Sequence, residues 1–305
     1  MTAGPTTASS GILLLDKPHG PTSHDLVART RRAVGTRKVG HAGTLDPLAT
    51  GLMILGVESS TRLLTYLVGL DKEYTATIRL GQSTTTDDAE GELVAQVDAS
   101  GVPPQAIVTA VDALTGDIAQ VPSTFSAIKV GGRRSYERAR AGEDVDLPAR
   151  PVTVSAFDVL ATRAEGDLLD LDVRVAVSSG TYVRALARDL GRALGVGGHL
   201  TALRRTRIGP FDIAEAVDPD GDLVAALLAP AEVARRLFPV VDFDADAVLA
   251  LTQGKRVAVP VADAARADAP VVAALGPDGR LVGLVSVHDG VARVLVNFPT
   301  AEVVA

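Results

Sequence analysis

Two stretches of the chain alternate apolar and polar residues in the way that a strand with one buried face requires. Residues 74–80 begin with Tyr74 and put four apolar side chains on one face. Residues 169–177 alternate leucines and valines with mostly charged residues. Because successive side chains of a strand point to opposite faces, both stretches are predicted strands. Short apolar runs at residues 12–15 and 52–55 predict two more.

Helical spacing appears first in residues 22–34. Leu26, Val27, Thr30, Ala33 and Val34 form one apolar stripe, which Thr22 or Ser23 can cap and Gly35 can end. Further helices are predicted from about residue 60 to 68 and from the turn at 178–181 to residue 194. The stretches 40–51 and 82–91 are predicted loops, since they are rich in glycine or in polar residues.

The character of the chain changes near residue 239. Strands are predicted at residues 271–274, 281–287 and 291–298, with turn sequences between them. We therefore expect a main domain at residues 1–238, with a flexible tail at 1–10, and a small all-β module at 239–305. Strands and helices mix without a repeating βαβ unit, which favours the α+β class.

Composition excludes several kinds of chemistry. The 305 residues include no cysteine, so disulfides, thiolate nucleophiles and cysteine-based zinc sites are excluded. No stretch approaches the ~18 apolar residues that a membrane span needs, and the first ten residues lack the basic start of a secretory signal. We expect a cytoplasmic protein without a membrane partner.

Charge is unevenly distributed. The net charge is −7, yet basic residues crowd three short segments, and a local positive face can supply the phosphate contacts that nucleic acids require. The alternative is that each cluster is simply a solvated surface. The clusters are Arg29, Arg31, Arg32, Arg37 and Lys38; Arg133, Arg134, Arg138 and Arg140; and Arg204, Arg205 and Arg207.

The stretch 40–51 combines glycines with one imidazole, His41, and one carboxylate, Asp46. Glycine allows unusual backbone conformations and close approach to a ligand. Pro47 biases Asp46 towards an extended conformation, which can hold its carboxylate outward. Taken alone, an Asp-Pro pair more often just starts a turn.

The letters of this stretch, GHAGTLDPLATG, resemble the signature loop of the bacterial tRNA pseudouridine-55 synthases (pseudouridine synthase B), G-H-x-G-x-L-D-P-x-A-x-G. Further ordered motifs between residues 11 and 211 resemble the same family. They are GILLLDKP at 11–18, KEY at 72–74, RLG at 79–81, Thr84, Thr86 and Asp88, the block of Pro122, Ser126, Ala127, Lys129, Tyr136, Ala139 and Arg140, and SGTYVR at 179–184. Phe125 stands where relatives often have tyrosine.

The resemblance implies a pseudouridine synthase fold: a mixed, mainly antiparallel central sheet with flanking helices, plus a C-terminal PUA-like RNA-binding module. It implies isomerisation of uridine 55 in the T-arm of tRNA by base flipping, without cofactor or metal. The implied partner is the T-arm stem-loop of tRNA. No obligatory protein partner is expected, since the extended basic tails typical of guided synthases are lacking.

The resemblance also assigns roles to residues. Asp46 would be the nucleophilic or basic carboxylate, Arg184 the cation that keeps it ionised, and Tyr74 the ring that stacks on uracil and assists proton transfer. His41 would fill the gap left by the flipped base, and Tyr182 and Leu203 would pack around it. The predicted phosphate contacts are Lys17, Arg29, Arg32, Arg37 and Lys38. Attack on the ribose, addition to the pyrimidine and abstraction of a ribose proton all stay open to Asp46.

Two alternatives from other classes stand beside this interpretation. One is a catalytically silent tRNA-binding or RNA-folding protein on the same scaffold. The other is a glycoside hydrolase, which would need a second carboxylate at a suitable distance; Asp16, Asp88 and Asp189 are candidates. Within the class, a synthase guided to other RNAs by partner proteins is a third.

Overall fold

The computed structural model describes residues 9–123, 147–260 and 269–298, together with residues 129–130, 133–134 and Asp263. The side chains of the second basic cluster lie outside the described residues, as do those of the motif residues between 124 and 146. Residues 1–8 of the predicted tail are also outside. Ser10 is not part of a flexible tail: it is buried, and its hydroxyl accepts a hydrogen bond from the Ser60 amide at 3.0 Å.

Helices and strands alternate irregularly along the described chain. The α-helices are α1 (Ser23–Val34), α2 (Leu64–Val68), α3 (Pro104–Ala113), α4 (Val183–Ala193), α5 (Pro230–Leu237) and α6 (Ala245–Thr252), and 3-10 turns cover Glu58–Leu63 and Ile213–Glu215. The strands up to residue 134 are β1 (Gly11–Lys17), β2 (Val39–His41), β3 (Thr50–Val57), β4 (Lys72–Leu80), β5 (Gln82–Thr84), β6 (Leu93–Gln96), β7 (Gly116–Gln120), β8 (Lys129–Val130) and β9 (Arg133–Arg134). Those after residue 147 are β10 (Arg150–Glu165), β11 (Leu168–Val177), β12 (Gly198–Ile208), β13 (Phe211–Asp212), β14 (Val240–Asp242), β15 (Val257–Ala258), β16 (Val272–Leu275), β17 (Leu281–His288) and β18 (Val291–Asn297).

A nine-stranded sheet forms the centre of the main domain. Its order is β1-β3-β12-β4-β11-β10-β7, with β2 pairing to β3 and β13 to β12. The pairs are antiparallel apart from β3 with β12, which run parallel where Gly51 lies opposite Arg205. The predicted α+β class with a mixed, mainly antiparallel sheet is confirmed.

Apolar side chains cover both faces of this sheet at the β1–β3 edge. Leu13 and Leu15 face a core that includes α1, α3 and α4, whereas Ile12 and Leu14 face a second core shared with the C-terminal module. A strand buried on both faces needs apolar residues at every position. This explains the unbroken run at residues 12–15.

The predicted helix at 22–34 is α1, and its ends follow from local chemistry. Thr22 and Asp25 form a reciprocal capping box, and Gly35 ends the helix with φ 70°. The apolar stripe is buried as predicted, apart from Ala33, which is exposed. The buried face of α1 therefore runs through Leu26, Val27, Thr30 and Val34 and leaves Ala33 beside it.

Several predicted boundaries were wrong. The loop predicted at 40–51 is shorter, since His41 ends β2 and Thr50 begins β3. The helix predicted from residue 60 begins as a 3-10 turn at Glu58. The polar loop at 82–91 includes the short strand β5. Strand β12 and helix α3 were not predicted at all.

The C-terminal module is a five-stranded sheet in the order β14-β16-β17-β18-β15. It is not purely β, because α6 packs its Val248 and Leu251 into the module's own core. The three predicted strands correspond to β16, β17 and β18. The boundary between residues 238 and 239 remains a prediction. None of the helices in the described part of the chain has both the length and the hydropathy that a membrane-spanning helix requires.

The contact between β3 and β12 leads to a prediction about Gly51. Its φ is +100°, and an added Cβ would overlap the backbone of Arg205. Gly20 has φ +102° with nothing within 4 Å of an added Cβ, so it provides a matched control. Both alanine substitutions carry a backbone cost of about 1–2 kcal/mol, but only Gly51→Ala adds a steric clash of about 1–3 kcal/mol or more.

We therefore expect urea denaturation to give a lower free energy of unfolding for Gly51→Ala than for Gly20→Ala. Equal losses in the two variants would contradict the close approach.

Candidate active site

A loop at residues 42–49 joins β2 to β3 and presents one carboxylate to solvent. Leu45 and Ala49 are buried beneath the loop, while 41% of the Asp46 side chain is exposed. The Ala49 amide donates to the Asp46 carbonyl at 3.0 Å and closes a tight turn after Pro47. The turn therefore holds Asp46 outward over an apolar base.

The ammonium of Lys17 supports this turn from inside the protein. Lys17 is fully buried, and its Nζ donates to the carbonyls of Ala49 (2.6 Å), Pro18 (3.0 Å) and Pro47 (3.2 Å). Burial lowers the pKa of Lys17, and the charges of Asp46 and Glu90 oppose that effect. The prediction that Lys17 contacts a phosphate is wrong for this structure, since its ammonium is directed to the loop.

The guanidinium of Arg205 joins the start of the same loop to the strand β3 that follows it. Its Nε donates to the carbonyl of Leu52 at 2.7 Å and its Nη2 to that of Gly43 at 3.2 Å. Only 1% of Arg205 is exposed. The rest of its basic cluster is paired as well, because Arg204 forms a bidentate ion pair with Asp16 and Arg207 lies 3.6 Å from Glu73. This cluster therefore does not form the expected positive face.

Arg184 lies between two carboxylates. Its Nη2 is 2.9 Å from Asp46 Oδ2, and its Nη1 is 3.3 Å from Asp88 Oδ2. The same Nη1 donates to the carbonyl of Thr86 at 2.9 Å. Arg184 and Asp88 are nearly inaccessible, with 7% and 3% of their side chains exposed. Asp46 is thus the accessible member of a carboxylate–guanidinium–carboxylate arrangement.

The structure brings Asp46 and Arg184 together as the sequence predicts, but the place of Asp88 was missed. From the sequence, Asp88 is a motif residue and a possible second carboxylate, and no pattern there pairs it with Arg184. The spacing Thr84, Thr86, Asp88 was the available signal. Thr84 donates to the Asp88 carbonyl at 2.7 Å, which indicates a fixed turn.

The predicted uracil-packing residues lie on neighbouring elements. Tyr74 on β4 is 7% exposed and pairs in register with Arg205, and Leu203 on β12 pairs with Ala76. Both contribute to the larger core. Tyr182 precedes α4, and Gln120 bonds both its amide (2.8 Å) and its carbonyl (3.1 Å).

His41 is half-buried at the end of β2. Its ring packs edge-on against that of His24, with 6.0 Å between centroids. Burial lowers the pKa of His41, and the charges of His24 and Arg205 lower it further. The imidazole is therefore neutral at physiological pH.

The predicted phosphate contacts near α1 have different surroundings. Arg29 is 2.5 Å from Asp220, and Lys38 is 3.1 Å from Glu58. Arg32 and Arg37 are exposed and form no ion pair with any described residue.

The three carboxylates considered for a glycoside hydrolase all have arginine partners. Asp16 pairs with Arg204, Asp88 with Arg184, and Asp189 with Arg188 at 3.0 Å. A glycoside hydrolase needs a second carboxyl that faces the sugar at a suitable distance from the first. Each of these three carboxylates is already directed to an arginine of the protein, so the structure does not favour this alternative.

Comparison with solved structures identifies the class of fold. The chain superposes on a chain of a Cbf5–Nop10–Gar1 complex with a TM-score of 0.69, 27% identity and coverage of 96% of this chain and 85% of that one. A chain of an H/ACA RNP bound to a substrate RNA containing 2'-deoxyuridine gives a TM-score of 0.68, 25% identity and coverage of 96% and 87%. Together with the site, this defines a pseudouridine synthase.

Sequence comparison identifies the family. Residues 31–183 match the N-terminal domain of the TruB family pseudouridylate synthases, and residues 184–240 match the tRNA pseudouridylate synthase B C-terminal domain. Proteins called tRNA pseudouridine synthase B from Leifsonia xyli subsp. xyli and Arthrobacter sp. are each 55% identical, over 96% of this chain and 98% of their own lengths. The chain belongs to the TruB family of pseudouridylate synthases.

The buried ammonium of Lys17 yields a stability prediction. Lys17→Met would leave buried carbonyls of the loop without a donor, at a cost of about 1–3 kcal/mol. Lys38→Met removes an ammonium whose side chain is 69% exposed, and such surface pairs contribute only about 0–1 kcal/mol. We expect urea denaturation to show a clear loss for Lys17→Met alone. If Lys17→Met kept the stability of the parent but bound RNA more weakly, a contact of Lys17 with phosphate would be supported instead.

Lys72 yields a prediction about pH. Its Nζ donates to the carbonyl of Val68 at 2.9 Å, and burial together with the charge of Arg205 lowers its pKa to about 8. The ordinary value is 10.5, so above pH 8 the unfolded state binds more protons than the folded state. Stability should therefore rise between about pH 8 and 10.5, by an amount on the order of 1–3 kcal/mol.

The check is the difference in free energy of unfolding between the parent and Lys72→Met, measured across that range. The difference should shift in favour of the parent as pH rises, and a flat difference would show that Lys72 titrates normally.

Proposed function

We propose that this protein converts uridine 55 in the T-arm of tRNA to pseudouridine, with Asp46 acting directly on a flipped-out nucleoside. The relatives from Leifsonia xyli and Arthrobacter carry tRNA in their names. The observation that carries the proposal is the Asp46–Arg184 pair: a half-exposed carboxylate fixed at 2.9 Å on a buried guanidinium.

The reaction is an isomerisation that needs little besides such a carboxylate. The bond between ribose C1' and N1 of uracil breaks, the base rotates, and a bond forms between C1' and C5. The proton on C5 is lost to a base and N1 gains a proton, so there is no net oxidation. Asp46 assists by attacking the ribose, adding to the pyrimidine or abstracting a ribose proton.

Residues around Asp46 suit a base that has left its stack. Tyr74 lies on β4, next to the strand that carries Leu203, and an aromatic ring is a suitable platform for a flipped base. Tyr182 lies two residues before Arg184 and would pack around the same base. His41, neutral and half-buried at the start of the loop, would fill the gap in the RNA stack without adding a charge.

Phosphate binding would fall to the basic residues on and after α1. Arg32 is exposed and unpaired among the described residues, whereas Arg29 and Lys38 would exchange Asp220 and Glu58 for phosphates. Such contacts release counterions, so affinity should fall steeply with salt. The PUA-like module would supply further RNA contacts.

We propose further that the chain acts without a protein partner. The Cbf5 chain that it resembles was solved together with Nop10 and Gar1. An assay with only the purified protein and a tRNA transcript tests both the reaction and its independence from any protein partner.

The test is tritium release from carbon 5 of labelled uridine in an unmodified tRNA transcript. The parent should release tritium, and Asp46→Asn should lower the rate by more than about a thousandfold, or ~4 kcal/mol in the barrier, while still binding the transcript. A transcript with cytidine at position 55 should release none.

Asp158→Asn is the matched control. Asp158 also pairs with an arginine, Arg174 at 2.7 Å, and is 51% exposed, so its loss should leave the rate near that of the parent. Unchanged release by Asp46→Asn would overturn the proposal. Binding without any release by the parent would support the silent RNA-binding alternative instead.

A further inference from the structure

The loop that contains Asp88 contacts Arg184 at two points. Asp88 Oδ2 is 3.3 Å from Arg184 Nη1, and the carbonyl of Thr86 accepts from the same nitrogen at 2.9 Å. Asp87 lies between these two contacts and takes no part in them. The position of Asp87 therefore decides where both acceptors of Arg184 lie.

Asp87 has an unusual backbone and a well-bonded side chain. Its φ is +60°, a conformation that residues with a Cβ seldom adopt. Its Oδ2 accepts from the Ser123 hydroxyl at 2.7 Å and lies 3.3 Å from Arg188 Nη1, and its carbonyl accepts from the Leu200 amide at 3.0 Å. Unusual backbone conformations persist where the surrounding contacts over-determine them.

Arg188 lies one turn after Arg184 on α4, so both guanidiniums leave the same face of the helix. Arg184 contacts Asp88, and Arg188 contacts Asp87, the preceding residue of the same loop. Arg188 is itself fixed by the Val121 carbonyl at 2.6 Å and by Asp189 at 3.0 Å. Two contacts one turn apart fix the loop against both sliding along and rotating about the helix.

We infer that Asp87 and Arg188 are positioning residues for the reaction, because their ion pair, with Ser123, sets the place of Thr86 and Asp88 and thereby the direction of the Arg184 guanidinium towards Asp46. Neither side chain contacts Asp46. The inference rests on the proposed role of Asp46 and Arg184.

The surroundings of Asp87 agree with this assignment. Burial raises the pKa of Asp87, whereas the hydrogen bond from Ser123 and the charges of Arg188 and Arg184 lower it. Burial outweighs these opposing contributions, and Asp189 adds to it, so the pKa of Asp87 is raised overall. The contacts from Ser123 and Arg188 are therefore what hold this largely buried carboxyl in place.

The test compares Asp87→Asn, Arg188→Gln and the double variant with the parent, using purified protein and unmodified tRNA transcripts. Because small misplacements of catalytic groups are costly in rate, each single variant should lower kcat by roughly ten- to a hundredfold. KM for tRNA and the Tm should stay close to those of the parent. The double variant should be no slower than the slower single variant, since both remove one interaction.

The variant Asp87→Gly distinguishes the effect of the carboxylate on kcat from the effect of the backbone conformation. Glycine adopts a positive φ without steric cost, so this variant keeps the loop conformation while losing the side chain. We expect kcat to fall as in Asp87→Asn. A parent-like kcat in Asp87→Gly would overturn the inference.

Glu215→Gln is the control for removal of an arginine–carboxylate pair in general. Arg236, its partner at 2.5 Å, has 28% of its side chain exposed, close to the 27% of Arg188. Its kcat should match that of the parent. Arg188→Gln changes a partly exposed helix position and carries the test alone if Asp87→Asn fails to fold.

Three further results would overturn the inference: kcat within twofold of the parent in Arg188→Gln, a loss confined to KM, or losses that multiply in the double variant. Asp46→Asn is included in the same series. If that variant is inactive while Arg188→Gln is fully active, only the positioning role fails. If Asp46→Asn turns over normally, the proposed function fails first.

Discussion

The parallel contact of β3 with β12 is the constraint from which the site is built. Gly51 approaches the backbone of Arg205 so closely that no side chain fits between them. This contact places the Arg205 guanidinium beneath the loop, where it bonds the carbonyls of Gly43 and Leu52. The start of β12 approaches α4 just as closely, since an added Cβ on Gly191 would overlap the backbone of Gly197 and of Gly198, the first residue of the strand. One strand therefore positions both the loop that carries Asp46 and the helix that carries Arg184.

Much of the fold could be predicted from local patterns, because those patterns record burial on one face. The alternation from Tyr74 to Leu80 is buried at every second position, and the capping residues of α1 lie where the sequence puts them. Strand β12 could not be predicted in this way. Its residues Arg204, Arg205 and Arg207 look like a solvated basic cluster, and their partners Asp16, Leu52 and Glu73 are distant in sequence.

Individual residues of the site could be predicted from the sequence, but most of the contacts between them could not. A glycine-framed loop with one carboxylate is visible in the sequence, and the resemblance paired it with Arg184. Burial of Lys17 and the contact of Asp88 with Arg184 depend on tertiary packing alone. A lysine beside a proline in a turn gives no local sign that its ammonium will point inward.

Net charge is a poor guide to the surface of this protein. Lys17, Lys72 and Arg205 are buried and donate to backbone carbonyls. These cations count towards the total of −7 without offering their donors to a ligand. Among the described residues the buried cations outnumber the buried carboxylates Asp88 and Asp170. The charge that faces solvent there is therefore more negative than the sum indicates, and long-range repulsion should restrict an RNA to approach where exposed arginines cluster.

The second core joins the main domain to the C-terminal module. Ile54 and Leu63 of the main domain share it with Leu275, Leu284 and Phe298 of the C-terminal module. Truncation of the chain near residue 239 would expose a broad apolar surface, and exposed apolar surfaces of this kind promote aggregation. The shared interior also prevents the module from swinging as a tethered appendage would. Any RNA that contacts both sheets at once must therefore fit the fixed distance between them.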